Sequence, residues 1–317
     1  MKSKLLFQSF LILILAMFIV TSCSEDDTRP EFPLSAVIFN SVADRQVAFT
    51  ALTHSAVSWS WDFGDGQTST EQNPVHIYEE SGYFVATLTA TDKEGNTVTD
   101  EVTLAIAVTP YVLLTGGATA TEGKTWKLTT SHGAGNDYFA NADADFTTAS
   151  GTPKPLPDGI FGQLSMSEAY NDEFTFYYDG TYSHDTKDGT SFGGLVYQYV
   201  LNGAADVTNA NGADYGLCIA KYTPDESATF TYTENEDFVV PSVYGPPTYM
   251  ITYKGVSTLD FSGTEFIGFR DFQRKVIINK ISDTSMQLTM FMAASDKYLQ
   301  PVAFNTHALI LSFEVVK

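Results

Sequence analysis

Tight-turn dipeptides divide much of this 317-residue chain into short segments, and they constrain the fold more than any other feature. Asp-Gly and Asn-Gly pairs supply the positive φ angles that hairpin turns require. Apolar and polar residues alternate between the turns, and no helical period is apparent. The 17 Tyr and 23 Phe residues also favour strands. The sequence therefore predicts an all-β protein. The pairs are Asp158-Gly159, Asp179-Gly180, Asp188-Gly189, Asn202-Gly203 and Asn211-Gly212.

Residues 1–22 have the pattern of an export signal. Lys2 and Lys4 precede an apolar run over residues 5–20, and small residues come just before Cys23. This order is typical of a signal peptide. There are two alternatives. One is an ordinary signal peptide followed by an incidental cysteine, and the other is an N-terminal membrane anchor. The cysteine at the cut resembles that of a bacterial lipobox, which implies that Cys23 is the lipidation site and that a lipid anchor attaches the chain to a membrane.

An acidic run follows Cys23 within a polar tether over residues 23–33. The run, Ser-Glu-Asp-Asp, resembles the surface-export signal of Bacteroidota lipoproteins, which implies a lipid-anchored protein exposed at the cell surface on the outer membrane. The whole chain has 17 basic and 38 acidic residues, a formal net charge of −21. Because this charge repels phosphate backbones, the sequence argues against a nucleic-acid partner.

An aromatic motif marks a first domain over residues 34–108. Residues 59–66 read Trp-Ser-Trp-Asp-Phe-Gly-Asp-Gly, and residues 73–78 read Asn-Pro-Val-His-Ile-Tyr. Trp61 and Phe63 alternate into a predicted core, and the glycines permit a sharp turn after them. The motif resembles a PKD domain, a small immunoglobulin-like β-sandwich. The resemblance implies a spacer that separates the next domain from the membrane.

Three polar residues of this motif, together with the second cysteine, have competing interpretations. Asp62 and Asp65 could be metal ligands or a catalytic pair, with His76 nearby. We expect instead that the carboxylates bond turn amides and that the histidine is structural, because packing and turns explain every feature of the motif. Cys218 lies in an apolar run and is predicted to be a buried hydrophobic residue.

Residues 109–119 contain a proline and paired glycines, which predict a short linker before a second domain over residues 120–317. Several pieces of that domain are similar to the domain that follows PKD in surface glycan-binding lipoproteins of Bacteroidota polysaccharide-utilisation systems. These pieces are Gly-Lys-Thr-Trp at 123–126, His132-Gly133, Tyr138-Phe139, Asp-Glu-Phe-Thr-Phe at 172–176 and Phe-Ile-Gly-Phe at 266–269.

The resemblance implies a β-sandwich or jelly-roll-like carbohydrate-binding domain with a SusE/SusF-like role in polysaccharide capture and uptake. It also implies that a SusC/SusD-like transporter complex is a partner, and it suggests a laminarin-like β-glucan as the ligand. A sugar ring presents an apolar C–H face, so a binding module needs exposed aromatic side chains near polar groups.

Five aromatic residues are the candidate glycan-binding residues. Tyr138 and Phe139 rank first because polar residues flank them and the resemblance points to them. Phe269 ranks second, beside Arg270 and Asp271, while Tyr170 and Tyr244 lie in Gly-, Pro- and Asn-rich loops. For each of the loop residues, packing is the alternative to ligand contact. The sequence predicts a shallow aromatic platform that contains Tyr138 and Phe139, with Phe269 nearby.

No enzyme signature is found in the sequence. It contains no Gly-rich phosphate loop, no Gly-x-Ser-x-Gly and no HExxH motif. Asp172 and Glu173 are adjacent, so in a strand they would point to opposite faces instead of flanking one glycosidic bond. We therefore predict a non-enzymatic binding protein. The alternatives are an extracellular glycoside hydrolase and a structural or adhesive lipoprotein without a small ligand.

An acidic stretch in the second domain provides a further set of candidate metal ligands. Asn141, Asp143 and Asp145 occupy alternate positions, as the first ligands of a calcium loop would. Phe146 stands where such a loop needs glycine, and Thr152 stands where it needs a bidentate glutamate. We predict a solvated loop without a metal or other cofactor, with a non-standard calcium site as the alternative.

Overall fold

The structure, a computed structural model, describes residues 32–143, 154–245, 247–294 and 303–317. The predicted signal peptide, the lipidation site Cys23 and the metal candidate Asp145 lie outside these residues. Most of the regular secondary structure in the described chain consists of strands, and the helices are few and short, so the all-β prediction is confirmed. No helix in this part of the chain is long and apolar enough to cross a membrane.

The first domain is a sandwich of two antiparallel sheets. One sheet has the order β1-β2-β5 and the other β4-β3-β6-β7, and their inward faces share one core around Trp61, Phe49 and Phe84. This is the immunoglobulin-like architecture that the sequence predicts. The strands are β1 (Ser35–Ala43), β2 (Gln46–His54), β3 (Ser58–Asp62), β4 (Thr68–Ser69), β5 (Val75–Ile77), β6 (Gly82–Thr91) and β7 (Thr97–Ile106).

The polar residues of the aromatic motif are structural. Asp62 Oδ1 accepts a hydrogen bond from the Gly64 N–H at 2.9 Å. Asp65 Oδ1 accepts one from the Gln67 N–H at 3.0 Å, and its Oδ2 lies 2.7 Å from His76 Nε2. His76 is buried. The prediction that these side chains hold a tight turn is confirmed.

The segment predicted as a linker is folded. Helix α1 (Pro110–Thr115) begins after Thr109, whose side chain accepts a hydrogen bond from the Val112 N–H. Leu114 is fully buried in the core of the second domain, and its carbonyl accepts a hydrogen bond from Trp126 Nε1 at 2.9 Å. Helix α1 is therefore an integral part of the second domain and not a free connection.

Contacts between the two domains continue around this segment. Gly82 of β6 forms an antiparallel bridge with Gly117. Thr119 Oγ1 donates a hydrogen bond to the carbonyl of Tyr83 at 2.8 Å, and the Tyr83 hydroxyl donates to Asp283. The two domains therefore meet through backbone and side-chain bonds made by the segment after α1 and by Asp283.

The second domain contains a large curved sheet and a small one. The large sheet has ten strands in the order β12-β11-β8-β20-β19-β18-β17-β16, with β9 paired to β20 and β10, and the small sheet has the order β13-β15-β14. The strands are β8 (Lys124–Leu128), β9 (Tyr138–Asn141), β10 (Lys154–Pro155), β11 (Glu173–Phe176), β12 (Tyr182–Asp185), β13 (Thr190–Gly194), β14 (Val207–Asn209), β15 (Leu217–Lys221), β16 (Phe230–Pro241), β17 (Met250–Phe261), β18 (Val276–Ile281), β19 (Ser285–Met292) and β20 (His307–Val315).

Both faces of the large sheet are covered near its centre. On one face, Phe192 and Ile219 of the small sheet join Trp126 and Leu309 in the main core, which makes a sandwich. On the other face, β16 and β17 form a long hairpin with irregular register, and irregularities of this kind bend strands. The hairpin contributes to a smaller second core around Phe291.

Short helices interrupt the strands, although the sequence pattern predicts none. They are α2 (His132–Gly135), α3 (Ile160–Gln163) and α4 (Leu195–Asn202), and 3-10 turns occur at Ser167–Tyr170 and Ala213–Tyr215. Each is too short to show a helical period, and α4 exposes three consecutive apolar residues, Tyr199, Val200 and Leu201. Cys218 is fully buried on β15, as predicted. Burial, followed by the charge of Asp271, raises the pKa of its thiol to about 12.

Candidate functional site: two clefts on either side of one strand

Strand β9 places Tyr138 and Phe139 on opposite faces of the large sheet. Side chains alternate along a strand, and the register pairs Tyr138 with Ile310 and Phe139 with Leu309 of β20. Leu309 belongs to the main core, whereas Ile310 belongs to the second core. The two aromatic residues therefore cannot share one platform, and this part of the sequence prediction is corrected by the alternation of the strand.

Phe139 lines an open cleft of about 700 Å³, which we call the Phe139 cleft. Tyr215, on the 3-10 turn after β14, lines the same cleft with 57% of its surface exposed. Asn141, Asp214 and His307 add amide, carboxylate and imidazole groups. The cleft thus combines aromatic rings with groups that can bond hydroxyls. Its apolar lining includes Leu156, Ile160, Phe161, Leu164, Leu195 and Val196.

Tyr138 lines a different cleft of about 800 Å³, which we call the Tyr138 cleft. Tyr253 of β17 is the second aromatic residue there, and its hydroxyl donates a hydrogen bond to the carbonyl of Ala142 at 2.7 Å. This cleft lies between β9 and the strands β17 and β18. Its polar lining includes Asn136, Asp143, Thr252, Lys254, Asn279 and Lys280.

A buried carboxylate holds the start of β9. Asp137 is 1% exposed, and its Oδ1 accepts hydrogen bonds from Ser312 Oγ at 2.6 Å and from Gln287 Nε2 at 2.9 Å. Its Oδ2 accepts the Ser312 N–H at 2.8 Å and lies 2.8 Å from His132 Nδ1. Every lone pair of this carboxylate is thereby engaged, which ties the residue before Tyr138 to β19, β20 and α2.

Tyr170, one of the predicted glycan-binding residues, belongs to this network. Its hydroxyl lies 2.9 Å from His132 Nε2 and accepts a hydrogen bond from the Phe161 N–H at 3.2 Å. Burial raises the pKa of Tyr170 to about 12. The hydroxyl therefore stays protonated and can donate to His132. Tyr170 lines neither cleft and positions the loop beneath the Phe139 cleft.

The remaining predicted aromatic residues differ in exposure. Phe269 is 2% exposed and packs against Phe192 with ring centroids 5.0 Å apart, so it lies in the core and not on a binding surface. Tyr244 is 41% exposed, and its hydroxyl donates a hydrogen bond to Asn141 Oδ1 at 3.2 Å. This bond places Tyr244 next to a lining residue of the Phe139 cleft.

The candidate metal ligands do not form a cluster in the described structure. Asn141 Oδ1 accepts the Tyr244 hydroxyl, and Asp143 is exposed at the Tyr138 cleft. Among the residues whose positions are given, no group of three or more His, Cys, Asp or Glu side chains could hold a metal ion. The calcium alternative also depends on Asp145, and it stays a prediction.

A second buried network joins two carboxylates through a histidine. His184 Nε2 lies 3.1 Å from Asp172 Oδ2, and His184 Nδ1 lies 3.3 Å from Glu265 Oε2. Burial lowers the pKa of His184, but the hydrogen bonds and charges of Asp172 and Glu265 outweigh it and raise the pKa. Both carboxylates are buried and line neither cleft. Glu173 instead pairs with Lys187 at 2.7 Å, so Asp172 and Glu173 face opposite ways, as predicted.

Comparison with known proteins identifies the first domain. A profile of the PKD domain family matches residues 38–108. Residues 38–108 are a PKD domain.

The curated proteins that this chain resembles match over short segments. It is 48% identical over 50 residues to collagenase ColQ1 of Bacillus cereus, which covers 16% of this chain and 5% of that protein. It is 30% identical over 78 residues to collagenase ColA of Bacillus cereus, with coverages of 25% and 8%. The pre-pro-metalloprotease PrtV of Vibrio cholerae is 46% identical over 50 residues, with coverages of 16% and 5%. The chain thus spans less than a tenth of each of these relatives.

Two solved structures are similar to different extents of the chain. The PKD1 domain of Vibrio anguillarum Epp is 30% identical with a TM-score of 0.24, and the match covers 25% of this chain and 99% of that one. A carbohydrate-binding module from the β-sandwich superfamily is 13% identical with a TM-score of 0.26, and the match covers 90% of this chain and 93% of that one. A TM-score of 0.26 is too low to assign a function to the second domain.

Proposed function

We propose that this protein is a non-enzymatic binding protein and that its second domain binds a neutral polysaccharide in the Phe139 cleft. The observation that carries the proposal is the presence of two aromatic side chains, Phe139 and Tyr215, in one open cleft with hydrogen-bonding groups. Aromatic rings stack on the C–H faces of sugars, and a few placed polar groups bond the hydroxyls. A volume of about 700 Å³ accommodates several sugar units.

The charges in the cleft suit a neutral ligand. Lys154 and Asp214 supply one charge of each sign. Burial, followed by the charge of Lys154, lowers the pKa of His307, so its imidazole is neutral at pH 7. Its Nδ1 lies 2.8 Å from Thr306 Oγ1, which leaves Nε2 for a hydrogen bond with a ligand. The formal net charge of −21 on the chain repels sulfated or uronic-acid polymers at low salt.

The placement of the protein in the cell is part of the proposal. The N-terminal sequence pattern supports a signal peptide, lipidation at Cys23 and exposure at the cell surface on the outer membrane. In that setting the PKD domain is a spacer, and a SusC/SusD-like transporter complex receives the captured glycan. A laminarin-like β-glucan is the ligand that we test first. Cys23→Ala should abolish labelling with palmitate and fractionation with the outer membrane, whereas retention of both would exclude the lipoprotein assignment.

The binding site is tested on the chain without residues 1–23. The panel for affinity electrophoresis contains laminarin, xylan, mannan and soluble cellulose. We expect laminarin or another neutral polysaccharide of this panel to slow the migration of the protein. Replacement of both Phe139 and Tyr215 by Ala should weaken binding about tenfold or more, since each stacked ring contributes on the order of 1 kcal/mol. Tyr199→Ala is the matched control, because Tyr199 is 60% exposed but lines neither cleft.

Three outcomes would contradict the proposal. Unchanged affinity in a double variant with a wild-type melting curve would move the site away from the Phe139 cleft. Release of reducing sugar from a polysaccharide that binds the protein would show that the protein is a hydrolase. If the wild-type chain binds none of the polysaccharides, an adhesive or structural role is favoured.

A further inference from the structure

We infer that the Tyr138 cleft is a second saccharide-binding site, separate from the Phe139 cleft and on the opposite face of the large sheet. The class of ligand rests on the proposed function, whereas the site rests on its own geometry. The strand β9 contributes Tyr138 to one site and Phe139 to the other, because consecutive residues of a strand face opposite ways.

The aromatic part of this site is held in place by the fold. Tyr138 and Tyr253 are both half-buried and pack against the second core, so each keeps part of its surface for a ligand. The hydrogen bond from the Tyr253 hydroxyl to the Ala142 carbonyl connects β17 to the end of β9. Asp137, the residue before Tyr138, is fixed by its buried hydrogen bonds. Two tyrosines that line the cleft are therefore held in place before a ligand binds.

Polar groups border the cleft beside these rings. The side chain of Asn136 is exposed and, within the described chain, takes part in no side-chain hydrogen bond or ion pair. The Asn279 side chain accepts a hydrogen bond from Thr289 Oγ1 at 3.0 Å through its oxygen, which leaves its amide nitrogen free to donate. Amide groups beside aromatic rings can bond the hydroxyls of a saccharide.

The presence of two sites that face apart has a consequence for binding a polymer. A long polysaccharide can occupy both sites on one molecule, or it can join two molecules. In either case, the second contact is made at a raised effective concentration. The protein should therefore hold the polymer more tightly than it holds a short oligosaccharide of the same sugar.

The test is titration calorimetry with laminarihexaose, cellohexaose, xylohexaose and mannohexaose on the chain without residues 1–23. For the hexasaccharide that binds, we expect a stoichiometry of two. Tyr138→Ala should reduce it to one, as should replacement of both Phe139 and Tyr215 by Ala. All three substitutions together should abolish binding. Tyr199→Ala should leave a stoichiometry of two.

A second variant guards against loss of folding, because Tyr138 packs against a core. Asp143→Trp fills the Tyr138 cleft from an exposed position in the turn after β9 without removing a packed side chain. It should also give a stoichiometry of one with an unchanged melting curve.

A wild-type stoichiometry of one that Asp143→Trp does not alter would overturn the inference and leave the Phe139 cleft as the site. Loss of all binding in Asp143→Trp, with full binding when Phe139 and Tyr215 are replaced, would overturn the proposed site in the Phe139 cleft. No heat with any hexasaccharide would overturn both.

Discussion

A Cβ atom on Gly194 would lie 2.0 Å from Oδ2 of Asp271, so the backbone of one residue is pressed against the carboxyl group of the other. Gly194 is the last residue of β13 and precedes α4. Asp271 is fully buried, and its Oδ2 has no hydrogen-bond partner within the described residues. The contact joins the small sheet to the loop before β18, and it has both a steric and an electrostatic consequence.

The steric consequence is that position 194 does not tolerate a side chain. We expect Gly194→Ala to lower the melting temperature by several degrees, because Asp271 or the start of α4 must move. Gly162→Ala is the control, since a Cβ there meets no heavy atom within 4 Å. Equal melting temperatures for the two variants in calorimetry would contradict the tight contact.

The electrostatic consequence is a loss of stability as the pH rises. Burial raises the pKa of Asp271 to about 8, well above the value of about 4 in an unfolded chain. Between these two values the unfolded state releases a proton that the folded state retains. The group therefore lowers the free energy of unfolding by up to about 1.4 kcal/mol for each pH unit.

Asp271→Asn should remove this contribution. Its melting temperature should exceed that of the wild type by about 3 °C or more at pH 8, and the difference should shrink toward pH 4. Melting curves between pH 4 and pH 9 measure the effect. A difference that does not change with pH would show that Asp271 has an ordinary pKa.

The packing of α1 predicts where the second domain can be cut. A fragment over residues 109–317 should unfold cooperatively, because it retains Leu114 and the hydrogen bond of Trp126 Nε1. A fragment over residues 120–317 should melt at a lower temperature, because it leaves an apolar gap and an unpaired buried donor. A fragment over residues 32–108 provides the PKD domain alone for comparison. Equal stability of the two longer fragments would mean that α1 is dispensable.

The hydrogen bonds of Asp137 predict an effect on both clefts. Asp137→Ala leaves buried donors on Ser312 and Gln287 unpaired, so we expect the free energy of unfolding to fall by about 3 kcal/mol or more. Hydrogen exchange of the β9 amides should accelerate, and affinity at both clefts should fall together. Glu226→Ala, at an exposed position, is the control. Protection of β9 at the wild-type level would show that the strand does not depend on this carboxylate.

The PKD domain could be predicted from the sequence because its signals are local. The turn residues, Asp62 and Asp65, bond amides two residues away, and Trp61 at the end of β3 and Phe63 just after it both enter the core. The hairpin of β11 and β12 was predictable for the same reason, since Asp179-Gly180 lies between its strands. In each case a few consecutive residues determine the local structure.

The site in the second domain could be predicted only in part because it depends on distant pairing. Tyr138 and Phe139, which the sequence singles out as glycan-binding residues, each line a cleft, but their separation follows from the pairing of β9 with β20, about 170 residues later. Phe269 was placed on the surface by its polar neighbours, yet the parallel bridge between Arg270 and Gly193 carries it into the core. Tyr215 and Tyr253 were missed because only the fold brings them to the clefts. The turn signal of Asn211-Gly212 beside Tyr215 was the one available indication.

The folded segment between the two domains also governs how tension would pass through the molecule. A flexible linker would extend when flow pulls on a captured polymer, and the two domains would reorient before any bond between them carried force. Here the bridge between Gly82 and Gly117 and the bond from Thr119 to Tyr83 leave no slack to extend. A pull on a bound chain would therefore reach strand β6 of the PKD domain at once, so both domains would bear the load together.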